Sequence, residues 1–84
     1  MVLAYILITV KNRQESKVAA ELVKSRHVDS IHLLYGMYDI ILRVKAIDLD
    51  DLHNFTVNEL SKVPEIERTA TLIVADKTKE DNKI

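Results

Sequence analysis

Along these 84 residues the spacing of apolar side chains changes from a strand period to a helix period and back, twice over. Residues 3–10 are apolar on both alternations, as a strand covered on both faces requires. Over residues 14–24, Val18, Ala19, Leu22 and Val23 recur at helical spacing, with Glu15, Lys17, Glu21 and Lys24 on the other side. Residues 28–35 and 39–46 read as strands again. Between them stands Gly36, the only glycine, which predicts a tight reversal with positive φ and hence a hairpin. Asp48 is placed to cap a second helix whose first turn carries Asp50 and Asp51 against the positive end of the helix dipole. Its core stripe is Leu49, Leu52, Phe55 and Leu60. Pro64, the only proline, stops that helix. Residues 66–75 supply a fourth strand, with Thr69 and Thr71 on one face and Ala70, Leu72 and Val74 on the other.

The order is βαββαβ. A shift of 38 residues lays Glu21-Leu22 on Glu59-Leu60, Lys24 on Lys62, Val28 on Ile66 and Ile6 on Val44, a short internal echo. Both point to a ferredoxin-like α+β sandwich: a four-stranded antiparallel sheet with two helices on one face. Right-handed crossovers in both halves put the helices on the same side and leave the other side bare. With the echo as register, Ile6, Ile8, Leu42, Val44, Leu72 and Val74 are expected to face the helices. Leu3, Tyr5, Leu7, Ile41 and Ile73 are expected to face away, while residues 28–35 carry apolar side chains on both alternations. Burying a side chain of this kind is worth roughly 1.5–3 kcal/mol, so the bare face predicts a homodimer packed sheet to sheet.

Composition narrows the function. Hydrophobic residues make up 48% and charged residues 30%, which fits one globular domain over residues 3–75 followed by a polar tail over 76–84. A domain this small buries a modest share of its surface, a second reason to expect self-association. With 12 basic and 13 acidic side chains intermixed there is no basic stripe to follow a phosphate backbone, and direct nucleic-acid binding is disfavoured. The absence of cysteine removes disulfides, thiolate metal sites and cysteine nucleophiles and fits a cytoplasmic setting. The apolar start at residues 1–8 has no basic flank and is too short to span a bilayer, so no membrane partner is expected.

The run Leu34-Tyr35-Gly36-Met37-Tyr38-Asp39-Ile40-Ile41-Leu42 resembles the glycine, aromatic, aspartate and apolar segment between the second and third strands of the effector-binding (RAM) domain of Lrp/AsnC transcription regulators. Arg68-Thr69-Ala70-Thr71-Leu72-Ile73-Val74 is similar to the last strand of that domain, and Ala4-Tyr5-Ile6-Leu7-Ile8 to its first. The resemblance implies dimers formed through the sheet, further assembly of dimers, and a small effector, usually an amino acid, held between dimers near the hairpin. By the same resemblance Gly36, Tyr38 and Asp39 would line the effector site, with Thr69 and Thr71 contributing from the last strand. An amino acid carries one cation and one anion. It therefore calls for an acceptor such as Asp39 and for donors such as turn amides and threonine hydroxyls. Full-length members of the family place a helix-turn-helix domain before this module, whereas here Met1 opens almost on the first strand. The expectation is a stand-alone sensor or a subunit that mixes with full-length relatives.

Each of these residues also has a plain structural reading. Gly36 serves the turn whether or not anything binds, Asp39 can satisfy turn amides, Thr69 and Thr71 are ordinary strand residues, and Tyr5, Tyr35 and Tyr38 suit core or interface. His27, His32 and His53 have no metal-binding spacing, so a solvated or packing role is expected, and neither a metal nor a cofactor is called for. No nucleophile motif or phosphate-binding glycine loop appears, and an enzyme is not expected. Two alternatives remain on the same fold. One is a small dimeric α+β-barrel enzyme, a cofactor-free oxygenase or isomerase, which would need a polar cavity on the helix side. The other is an ACT-type regulatory domain, which would place its glycine after the first strand, where this chain has Lys11-Asn12-Arg13-Gln14.

Overall fold

The computed structural model describes residues 1–76. Strands β1 (Val2–Val10), β2 (Val28–Leu33), β3 (Ile40–Ala46) and β4 (Ile66–Ile73) alternate with helices α1 (Glu15–Leu22) and α2 (Leu49–Asn58) in the order β1-α1-β2-β3-α2-β4. A 3₁₀ turn at Leu60–Lys62 follows α2. The sheet is antiparallel with strand order β2-β3-β1-β4, so β1 and β3 are central. This is the ferredoxin-like sandwich that the sequence predicts. The expected polar tail lies, past Asp76, outside the described residues. Among those residues no helix is long and apolar enough to cross a membrane.

The helices begin in different ways. The Asp48 side chain accepts from the Asp51 N–H at 2.8 Å, the cap that the sequence predicts for α2. Helix α1 has no side-chain cap and is entered through Asn12 and Arg13, both at positive φ. It ends at Leu22, earlier than the periodicity suggests, and leaves Val23 two-thirds exposed instead of in the core.

Antiparallel pairing settles which residues share a face. Ala4 lies opposite Val44, Ile6 opposite Leu42 and Ile8 opposite Ile40, and all six are fully buried. They form one core with Val10 and Ala46, with Val18 and Leu22 of α1, with Leu52 and Phe55 of α2, and with Leu60. Leu3, Tyr5 and Leu7 of β1 lie opposite Lys45, Arg43 and Ile41 of β3 on the face away from the helices.

Strand β4 departs from the expected register. Thr9 pairs with Arg68 but Val10 pairs with Ile66, so Glu67 is an extra residue in a bulge. Beyond it, Thr69, Thr71 and Ile73 pair with Ile8, Ile6 and Ala4 on the helix side, while Ala70 and Leu72 pair with Leu7 and Tyr5 on the open face. The expectation that Ile73 faces away from the helices, and Leu72 toward them, is therefore corrected. The Val74 N–H donates to the Leu3 carbonyl at 2.9 Å and continues the ladder, which places Val74 with Leu72 rather than with the core. The physical reason is the extra residue at Glu67, which reverses every later side chain of β4, and as an edge strand β4 accommodates it. Only Ile66 packs against the core, and the later apolar side chains of the strand are left half exposed.

A second bulge explains β2. Val28 pairs with Val44 and Ser30 with Arg43, so the alternation slips at Asp29. Val28, Ile31 and Leu33 then share the helix side, and Ser30 and His32 the open face. Apolar residues on both alternations follow from that slip.

Candidate functional site

The connection between β2 and β3 is wider than a two-residue reversal. The Leu34 N–H donates to the Asp39 carbonyl at 2.8 Å, so four residues, Tyr35 to Tyr38, loop outside that bond. Gly36 sits in the loop at φ +129, a conformation that L side chains rarely adopt. Tyr35 and Met37 stand exposed, whereas Tyr38 folds back and is half-buried.

Asp39 joins this loop to β1. Its N–H donates to the Ile8 carbonyl at 2.8 Å, and its Oδ2 accepts from the Val10 N–H, also at 2.8 Å. The carboxylate therefore takes the place of a strand carbonyl where β3 has not yet begun. Thr9, between the two bonds, is 8% exposed, and its Oγ1 finds no hydrogen-bond partner among the described residues. A buried hydroxyl left in that state is unfavourable and is normally satisfied by protein, water or ligand.

Beside Thr9 the surface forms a depression of about 160 Å³, lined by Thr9, Met37, Tyr38, Arg68, Thr69 and Ala70. Two of the five residues predicted as effector ligands, Tyr38 and Thr69, line it. Asp39 stands next to it with one carboxylate oxygen already engaged by Val10. Gly36 shapes the loop without lining the depression, and Thr71, opposite Ile6, is one pair farther along β4. Thr9 and Arg68 escaped the sequence reading. The available signals were a hydroxyl inside the apolar run of the first strand and a cation immediately before Thr69.

His27 proves to be a packing residue. It is 7% exposed, its Nε2 lies 3.0 Å from Asp51 Oδ1, and its ring centroid is 5.3 Å from that of Phe55. The Ile47 N–H donates to Asp51 Oδ2 at 2.9 Å. That amide first, and His27 second, hold the Asp51 carboxyl below the ordinary range. No group of acidic and histidine side chains among the described residues could hold a metal ion.

On the helix side, a groove of about 240 Å³ runs between the end of α2 and β4. Its polar lining, Thr56, Ser61, Glu67, Arg68 and Thr69, contains neither histidine nor tyrosine, the groups on which the alternative enzyme reading depends.

Comparison with known proteins gives a consistent pattern. The Lrp/AsnC ligand binding domain family matches residues 3–84. The HTH-type transcriptional regulator FL11 of Pyrococcus furiosus is 31% identical over 83 residues, 99% of this chain and 54% of that protein. This chain thus spans about half the length of the curated relatives it matches. The solved structure of FFRP-DM1 superposes with a TM-score of 0.85 at 35% identity, over 88% of this chain and 99% of that one. A transcriptional regulator of Neisseria meningitidis, solved as a complex with L-Met, has the same fold at a TM-score of 0.87 and 19% identity, over 99% of this chain and 55% of that one.

Proposed function

We propose, from the premise that this chain belongs to the Lrp/AsnC ligand binding domain family of transcription regulators, that it senses a small zwitterion such as an amino acid at the hairpin–β4 depression and works as a dimer paired through the open face of the sheet. The observation that carries the reading is the Thr9 hydroxyl, buried and without a partner among the described residues, in a depression that Arg68 also lines.

The chemistry suits both charges of an amino acid. Arg68 offers a planar fork of donors for a carboxylate, and the Thr9 hydroxyl donates or accepts as the ligand requires, while Thr69, whose side chain faces the helix side, borders the depression. Asp39, beside the depression, supplies negative charge for the ammonium group, and Tyr38 supplies an aromatic wall. Gly36 acts by allowing the loop, and Thr71 stands at the outer margin. In the Neisseria regulator, L-Met is the bound ligand, which supports a free amino acid as a molecule that this fold accommodates.

Leu3, Tyr5, Leu7, Ile41, Ala70 and Leu72 form the apolar part of the open face, where no helix of this chain packs. Covering Leu72 alone, now about half exposed, is worth on the order of 1 kcal/mol. Thr9, Arg68 and Ala70 belong to the same face, so each effector site lies at the margin of the seam between copies. Dimers then assemble further, including with relatives that carry the same domain. The proposed setting is the cytoplasm, and the role is regulatory rather than catalytic, in keeping with relatives named as transcriptional regulators.

Thermal-shift screening against the standard amino acids tests the ligand, because a molecule that binds only the folded state raises Tm. At least one should do so, and Arg68→Gln and Thr9→Val should each abolish the shift. No hit among the amino acids, or a hit whose shift survives both substitutions, overturns the assignment.

A further inference from the structure

The depression between the hairpin loop and β4 carries little charge. Among the described residues that line it, Arg68 alone is ionised, Thr9, Tyr38 and Thr69 are polar, and Met37 and Ala70 are apolar. Asp39 stands beside it, with Oδ2 already accepting from the Val10 N–H at 2.8 Å.

One cation and one anion match the two charges of a free amino acid and leave none over. Once Arg68 holds the carboxylate and Asp39 the ammonium group, the lining has no charged side chain with which to pair an ionised ligand side chain. An ion withdrawn from water without a partner is strongly disfavoured, so acidic and basic amino acids are selected against.

Apolar surface lies where the ligand side chain must go. Thr9 pairs with Arg68 and Leu7 with Ala70, so the Ala70 methyl stands on the same face as Arg68, two residues or roughly 7 Å farther along the strand. Met37 reaches the depression from the loop and is 87% exposed. Its thioether therefore keeps apolar surface that a ligand can cover, and its unbranched side chain adapts to what it covers. At about 160 Å³ the depression is smaller than the roughly 300–1,000 Å³ usual for drug-sized ligands, which limits the guest to one small molecule.

We propose, resting on the assignment of this depression to an amino acid, that Met37 is its specificity-determining residue and selects an uncharged aliphatic side chain. That side chain packs between the Met37 thioether and the Ala70 methyl. Two effects make the choice: apolar contact favours each added methylene, and the lack of a spare counter-ion rejects a charged end.

Calorimetric titration of the full chain with glycine, L-norvaline, L-norleucine, L-lysine and L-glutamate tests the proposal. Affinity should rise from glycine through norvaline to norleucine, by about twofold or more per methylene. Lysine, which has the carbon chain of norleucine with an ammonium group at its end, should bind at least about tenfold more weakly than norleucine. Met37→Ala should lower the preference for norleucine over glycine by about tenfold, and Met37→Leu should restore most of it. The melting temperature of each variant without ligand verifies that it is folded. Arg68→Gln separates the selectivity from the site itself. If that variant loses binding, but the native chain prefers lysine or glutamate or its preference is unmoved by Met37→Ala, the role of Met37 is overturned and the site stands. Binding that survives Arg68→Gln, or no binding of any of these amino acids, overturns both.

Discussion

The carboxylate of Asp39 holds the backbone N–H of Val10 at 2.8 Å, across 29 residues of sequence. This bond fastens the β2–β3 loop to the end of β1, and it gives Asp39 a structural duty in addition to the charge it offers a ligand. The two duties separate by substitution. Asp39→Ala leaves the Val10 amide unpaired and should cost about 1–3 kcal/mol in chemical denaturation. Asp39→Asn keeps an acceptor oxygen, so it should cost much less while still weakening the Tm shift from an amino-acid hit. Equal destabilisation by both variants would contradict this division.

Gly36 stands at φ +129 with nothing within 4 Å of the position a Cβ would take. Space is therefore no obstacle to a side chain, and the backbone conformation is the only one. Gly36→Ala should destabilise by on the order of 1–3 kcal/mol, measured by urea unfolding. A neutral result would mean that the loop adopts a different conformation.

Acid should weaken the fold through Asp51. Ile47 N–H and His27 lower its folded pKa beneath the ordinary value of 3.8, which the unfolded chain retains. The stabilisation is thus fully present above about 3.8 and is lost as pH falls from there through the folded pKa. Glu65 adds a loss of the same sign, since Lys17 Nζ at 2.9 Å lowers its pKa. Thermal melts across this range should show a shallower acid decline for Asp51→Asn than for the native chain, and a lower Tm for the variant at neutral pH. Parallel curves would contradict the assignment.

The bulge at Glu67 makes neighbouring residues of β4 behave differently. Leu72 lies opposite Tyr5 on the open face, and Ile73 opposite Ala4 on the helix side, each about half exposed. Leu72→Arg should place a charge in the seam between copies and shift the sedimentation of the protein toward a monomer. Ile73→Arg should leave the association intact. Equal effects would argue against the face assignment.

The arrangement of elements was legible because the apolar period changes at each boundary and because Asp48, Gly36 and Pro64 are each suited to one kind of position. What the sequence hid were the two bulges. An extra residue at Asp29 or Glu67 reverses every later side chain of its strand, and neither carries a glycine or proline to mark it. The 38-residue echo consequently put Ile73 on the wrong face. The lone glycine announced a turn but not its four-residue length. Tyr38 and Thr69 were found as lining residues, while Thr9 was hidden in an apolar run. Arg68 becomes meaningful only when the register sets it opposite Thr9.

Light scattering of the native chain at micromolar concentration tests most directly the claim that two copies share the open face. The account predicts twice the mass of the single chain or a multiple of that dimer. A mass equal to one chain, with the fold intact by circular dichroism, would contradict it.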